Sequence, residues 1–208
     1  MIRLFEEFKK TTLDKNISTY NDYYNTHKDG SRSNIVAWEA DDSQIKNFKL
    51  VSKFIKNGDS VLDFGCGIGD FLMYLDESKI NISDYMGVDI NDNFISLAKE
   101  TYSNNKFQHI KDIDNIKGKW DDVCVIGVFT WYIERDEFIE TIYKLRDLAN
   151  KQVLLTCLHD MYVDDDEDYW ESTYRYYNEE FFEKLFPDLK FEFDYSPRGD
   201  TMLVRIIK

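Results

Sequence analysis

Residues 61–69, Val-Leu-Asp-Phe-Gly-Cys-Gly-Ile-Gly, constrain the fold of this chain more than any other stretch. An apolar run opens at Val61, is punctuated by Asp63, and ends in glycines at alternate positions, Gly65, Gly67 and Gly69. A parallel strand covered on both faces, followed by a tight turn into a helix, is written this way. Glycine lacks a Cβ, so the turn can take positive φ and lie flat against a ligand. The helix that follows aims its free N–H groups at whatever sits in that turn. The segment predicts a nucleotide-type ligand.

The next residue narrows the choice. Dinucleotide-binding turns read G-x-G-x-x-G/A, the third small residue permitting close helix–sheet packing. Counted from Gly65, that position is Asp70, a charged side chain that such a contact does not accept. The spacing is instead G-x-G-x-G with Asp63 two residues ahead. Within VLDFGCGIGDFLMYL this resembles the first motif of the class I S-adenosylmethionine-dependent methyltransferases. The resemblance implies S-adenosylmethionine as cofactor, S-adenosylhomocysteine as product, and a Rossmann-like sheet of seven strands with the last inserted antiparallel.

Composition bounds the remaining classes. A chain of 208 residues with 43% hydrophobic residues suits one domain with a sizeable core. The net charge of −14 repels a phosphate backbone, and no dense Lys/Arg run offsets it, so no nucleic-acid partner is expected. The acidic run Asp164–Asp168 reads either as a solvated loop or as an attractor of a cationic acceptor. Cys66, Cys124 and Cys157 fall in or beside predicted strands and read as reduced buried thiols; no metal-type Cys or His spacing occurs. MIRLFEEFKK lacks a signal peptide's apolar centre, and no run of about 18 apolar residues exists to span a membrane. The expected setting is cytoplasmic, with no membrane partner, as monomer or homodimer.

Residues 1–57 read as a helical cap, and 58–208 as the α/β core of a single domain. Ile45, Phe48, Val51, Phe54 and Ile55 recur at helical spacing, with Ser43 to cap the start and Gly58 to end it. The core alternates strands Ser60–Phe64, Tyr85–Ile90, Phe107–Ile110, Asp122–Val128 and Gln152–Leu158 with helices. It closes with strands Lys190–Tyr195 and Thr201–Ile207, joined closely enough for a hairpin. This predicts an open, doubly wound sheet, mostly parallel, with helices on both faces.

Ligands of such sheets lie beyond the carboxyl ends of the strands, where every candidate residue falls. Gly65, Cys66, Gly67 and Gly69 form the turn, and the resemblance sets them against the cofactor's methionine part. Asp63 either bonds turn amides alone or also reaches the ligand's ammonium through water. Asp89, 20 residues after Gly69, can accept both ribose hydroxyls, with Ile90 on the adenine face. Asp112, followed by Ile113, is either an acceptor for the adenine amino group or an ordinary turn aspartate. Gly127, Val128 and Phe129 close strand 4 and wall the reactive end. Trp38, Gln44 and Tyr24, by a fainter resemblance to a bacterial subgroup of small methyltransferases, are lid candidates or simple core aromatics.

Methyl transfer is an in-line displacement that needs alignment more than a catalytic constellation. For a hydroxyl acceptor the best-placed general base is His159, just beyond strand 5, which is otherwise a loop-stabilising histidine. Tyr132, Tyr162, Trp170, Tyr174 and Tyr176 are unranked candidates for an acceptor pocket. The leading reading is methylation of a small-molecule or sugar acceptor at oxygen or nitrogen. The alternatives are a protein or tRNA acceptor and a non-catalytic S-adenosylmethionine-binding partner. A nucleic-acid amino-methyltransferase is disfavoured because Gly127-Val128-Phe129-Thr130-Trp131 lacks the Asn/Asp-Pro-Pro-aromatic turn of those enzymes.

Overall fold

In the computed structural model, the described residues are 17–38, 41–102, 106–130, 133–160 and 175–208. Three helices precede the sheet: α1 (17–27), α2 (Arg32–Ile35) and α3 (Asp41–Ser52). The core then runs β1 (Ser60–Phe64), α4 (Asp70–Glu77), β2 (Asp84–Asp89), α5 (Asp92–Thr101), β3 (Lys106–His109) and β4 (Trp120–Ile126). It continues with α6 (Arg135–Leu148), β5 (Ala149–His159), β6 (Tyr176–Tyr177), α7 (Glu179–Leu185), β7 (Lys190–Tyr195) and β8 (Thr201–Ile207). The sheet order is β3-β2-β1-β4-β5-β8-β7, with β7 and β8 antiparallel. This is the doubly wound, mostly parallel sheet that the motif spacing predicts.

Alternation along each strand divides the core between two faces. On β5, Val153, Leu155 and Cys157 face one layer, packed by α6 and α7, while Leu154 faces the other, packed by α3, α4 and α5. Both faces being covered explains why these strands read as unbroken apolar runs. On α6, Phe138, Ile142 and Leu145 recur at helical spacing and are all fully buried. The Phe138 ring sits among those of Phe129, Tyr177, Phe181, Phe182 and Phe186, with centroids 5.0–6.2 Å away.

Several boundaries shift from those expected. β4 ends at Ile126, because Gly127 takes a φ of +72° and turns the chain into a 3₁₀ turn, Val128–Thr130. α3 starts at Asp41, ahead of Ser43, and ends at Ser52, so Gly58 lies in the loop beyond it. An eighth strand, β6, is added. It pairs with Leu158 and His159 on the edge of β5 that β4 vacates after Ile126. Two residues with no flanking pattern carried no strand signal in the sequence. At the opposite end of the sheet, the buried Asp122 accepts from Gln152 Nε2 at 2.7 Å, and Asp59 binds Lys151 Nζ at 2.6 Å. No helix among the described residues is long and apolar enough to cross a membrane.

Phe138 tests the aromatic layer. Truncating a fully buried Phe removes its transfer energy and leaves a cavity, together about 3–5 kcal/mol. Phe138→Ala is expected to lose that much in urea unfolding, and a loss under about 1 kcal/mol would show that the layer repacks around the gap.

Candidate active site

The turn after β1 takes the conformation its glycines permit. Gly65, Gly67 and Gly69 have φ of +79°, +54° and +84°. A Cβ on Gly65 would collide with Val128 Cγ2, and one on Gly67 would meet Val36 Cγ1 at 2.9 Å. The turn is thus pressed between the β4 exit and the helical cap as well as being conformationally demanding. Gly65 and Cys66 both donate to the Val88 carbonyl, at 2.8 and 3.0 Å. Gly69 caps α4 in the left-handed region without a side chain, leaving the first N–H groups of that helix at the turn.

Asp89 ties the turn to the end of β2. Its Oδ2 accepts from the Gly67 amide at 2.9 Å and its Oδ1 from the Asn91 amide at 2.8 Å. A carboxylate has about four acceptor sites, so these two bonds do not exhaust its capacity. Asn91 performs the helix capping, accepting from the Asn93 and Phe94 amides, so Asp89 is not needed as the cap. Asp63 is 2% exposed and accepts from the Tyr85 hydroxyl at 2.6 Å. No bond from a turn amide to its carboxylate occurs among the described residues. Burial pushes its pKa up to about 7, against the lowering effect of the Tyr85 bond.

A cavity of about 630 Å³ opens over this turn, within the 300–1,000 Å³ range of cofactor and substrate pockets. It gathers Asp63, Gly65, Cys66, Gly67, Asp89, Ile90, Gly127 and Val128 with the cap residues Trp38 and Gln44. Other expected residues lie elsewhere. Gly69 packs against Phe107 and Tyr102, and Phe129 is buried against Phe138. Asp112 is exposed and accepts from the Asp114 amide at 2.9 Å, the ordinary turn-aspartate geometry, with Ile113 packed on the core. Tyr24 meets Phe94 edge-on, while its neighbours on α1, Tyr20 and Tyr23, line the cavity. His159 Nδ1 bonds the Gly199 carbonyl at 2.8 Å and its ring packs on Tyr195; it is absent from the described lining. Of the pocket aromatics, Tyr176 lines the cavity, and Tyr132, Tyr162, Trp170 and Tyr174 lie outside the described residues.

Sequence reasoning missed the contact that fastens the cap. Arg32 Nε donates to Asp70 Oδ1 at 2.6 Å, Arg32 Nη2 to the Ile68 carbonyl at 3.1 Å, and Gln44 Nε2 to Asp70 Oδ2 at 3.3 Å. The residue that breaks the dinucleotide pattern is therefore the one that receives the cap, a pairing across 38 residues with no local signature. Thr156, fully buried at the cavity wall, was also missed; it accepts from the Gly127 amide at 3.1 Å. A hydroxyl inside the apolar run QVLLTCL was the available signal. Ile110 and Phe94 add apolar wall near Ile90.

The elevated pKa of Asp63 carries a pH dependence. The folded protein keeps a proton that the unfolded chain releases near 3.8. The resulting stability is full below that value and is lost as pH rises through about 7. Burial pushes Asp122, far from the cavity, to about 7 as well, so it acts in the same sense. The urea midpoint of the ligand-free protein is expected to fall between pH 4 and 7, and Asp63→Asn to shrink that fall. A difference between parent and variant that is flat across this window would refute the assignment.

A family model described as a methyltransferase domain matches residues 62–148. Over 115 residues the chain is 30% identical to the putative methyltransferase 235L of Invertebrate iridescent virus 6, covering 54% of this chain and 42% of that protein. Over 83 residues it is 32% identical to the ribosomal protein L11 methyltransferase of Acetivibrio thermocellus, covering 38% of this chain and 26% of that one. The chain spans less than half the length of the curated relatives it matches. Among solved structures it resembles magnesium protoporphyrin IX methyltransferase from Synechocystis PCC 6803 with bound S-adenosylmethionine, at TM-score 0.65 and 16% identity, over 96% of each chain. Residues 62–148 are thus the stretch that is similar to a methyltransferase domain, and the fold built around them is the one seen in that porphyrin methyltransferase.

Proposed function

We propose that this protein transfers a methyl group from S-adenosylmethionine to a small-molecule acceptor. The observation that carries the reading is the cavity itself, in which the glycine turn and the Asp89 carboxylate share one space with the cap residues Trp38 and Gln44. A roofed cavity of this size suits cofactor plus a small acceptor better than a polymer lying across an open face. The porphyrin methyltransferase among the structural neighbours is a small-molecule enzyme by its name, which agrees with this reading.

The residues present fit the cofactor. The Asp89 carboxylate in the lining suits ribose hydroxyls as an acceptor, and Ile90, Ile110 and Phe94 supply apolar wall for adenine. The ionised acids of the described lining, which holds no Lys, Arg or His, favour a ligand bearing positive charge. When bound, S-adenosylmethionine supplies a methyl carbon activated by its sulfonium, taken by an acceptor lone pair as the C–S electron pair stays on sulfur. The chain's part is to orient the two reactants and exclude water, which supplies roughly 7–11 kcal/mol of the barrier. Val128 packs close to Gly65 and Trp38 close to Gly127, so both crowd the backbone that lines the cavity.

Two variants test this. Asp89→Ala removes a charged acceptor, and each hydrogen bond lost should cost about 1.5–3 kcal/mol. Calorimetric titration with S-adenosylhomocysteine is expected to weaken at least tenfold while NAD binds neither protein; unchanged affinity in a folded variant would reduce Asp89 to a structural residue. His159 is tied to Gly199 and stands outside the described lining. His159→Ala is expected to keep turnover within a few-fold, whereas a 10²–10⁴-fold loss with cofactor binding intact would make His159 the general base.

A further inference from the structure

Helix α1 is docked on the residues that follow Asp89. Its Asn21 Oδ1 accepts from Asn91 Nδ2 at 3.1 Å and from Asn93 Nδ2 at 3.2 Å. Tyr20 and Tyr24 meet the Phe94 ring edge-on, with centroids 6.0 and 6.3 Å away. Asn91, Asn93 and Phe94 are the cap and first turn of α5, and the Asp89 carboxylate holds the Asn91 amide. Polar and aromatic contacts together therefore fix α1 beside the end of β2.

The two tyrosines on Phe94 differ in what else they reach. Tyr20 lines the cavity together with Asp89, Ile90 and Phe94, and Tyr24 is not in the described lining. The Tyr20 hydroxyl has no hydrogen-bond partner among the described residues. Burial and the Asp89 charge both push its pKa up, so it keeps its proton and remains a donor. Tyr20 and Asp89 are thus close enough to interact through space, and no hydrogen bond joins them. Asp89 in turn has acceptor capacity beyond its two amide bonds. A donor and an acceptor set apart in one cavity are bridged by a group that is both. A sugar hydroxyl is such a group, its oxygen accepting from the phenol while its proton goes to the carboxylate.

We propose, building on the S-adenosylmethionine reading, that Tyr20 is a cofactor-binding residue whose hydroxyl donates to one ribose hydroxyl, which donates in turn to the Asp89 carboxylate. The ribose is thereby held between α1 and the end of β2. The Asn21 contacts fix where α1 presents the phenol.

Tyr20→Phe removes the hydroxyl and keeps the ring for Phe94, so it separates the ligand contact from the packing. Tyr24→Phe is the matched control on the same helix. In calorimetric titration of the full chain, S-adenosylhomocysteine is expected to bind Tyr20→Phe about tenfold more weakly and Tyr24→Phe as it binds the parent, with urea midpoints unchanged in both variants. The 2′-deoxy and 3′-deoxy analogues of S-adenosylhomocysteine, measured by competition against it, identify the partner atom. One of them lacks the hydroxyl that Tyr20 meets and is expected to bind the parent and Tyr20→Phe equally. Unchanged affinity of Tyr20→Phe for S-adenosylhomocysteine would overturn the proposal. So would the same loss with both analogues, or an equal loss in Tyr24→Phe, since the hydroxyl would then act through packing. A parent that fails to take up S-adenosylhomocysteine removes the cofactor reading and this proposal with it. A parent that takes it up, matched by Tyr20→Phe, removes this proposal alone.

Discussion

The Asp89 carboxylate joins three elements that would otherwise meet only by chance. One oxygen holds the Gly67 amide of the turn after β1, and the other holds the Asn91 amide at the start of α5. Hydrogen bonds to a charged acceptor contribute roughly 1.5–3 kcal/mol each, so this residue fixes a turn whose glycines, left alone, have the widest conformational freedom of any residue. Burial works against it by pushing the pKa of Asp89 upward, and the amide bonds work the other way by favouring the ionised form. The residue that shapes the turn is also one that lines the cavity.

The cap depends on the turn in its own way. Asp70 follows the last glycine and is 4% exposed, a position where an unpaired carboxylate would be costly. Arg32 and Gln44 both reach it from the cap. The N-terminus of α4 adds a favourable field for the same charge. With Val36 against Gly67 and Trp38 against Gly127, the cap touches the core where bulk would be excluded had those glycines carried side chains. The missing side chains of these glycines are what allow the N-terminal residues to seat so closely.

The electrostatic character of the cavity follows from this economy. Asp63, Asp70 and Asp89 each have a structural partner, and Asp200 accepts from the Ser196 hydroxyl. In a chain of net charge −14 the described cavity lining holds acids and no Lys, Arg or His, and such a surface favours cations over anions.

The local pattern was enough to place β1, the glycine turn, α4 and Asp89, because each is set by neighbours within a few residues: apolar runs, alternate glycines and an acid at a strand end. The recurrence of Phe138, Ile142 and Leu145 on the buried face of α6 is of the same local kind, since a period of 3.6 residues belongs to the helix itself. Tertiary structure decided the rest. Arg32 meets Asp70 across 38 residues, β6 fills a slot vacated by β4, and His159 turns to the Gly199 carbonyl 40 residues away. Asp112, read for adenine or for a turn, bonds an amide two residues on, a contact that only the folded turn reveals. Periodicity reports which face of an element is buried; which distant element arrives to cover it depends on chain crossings that leave no repeat in the sequence.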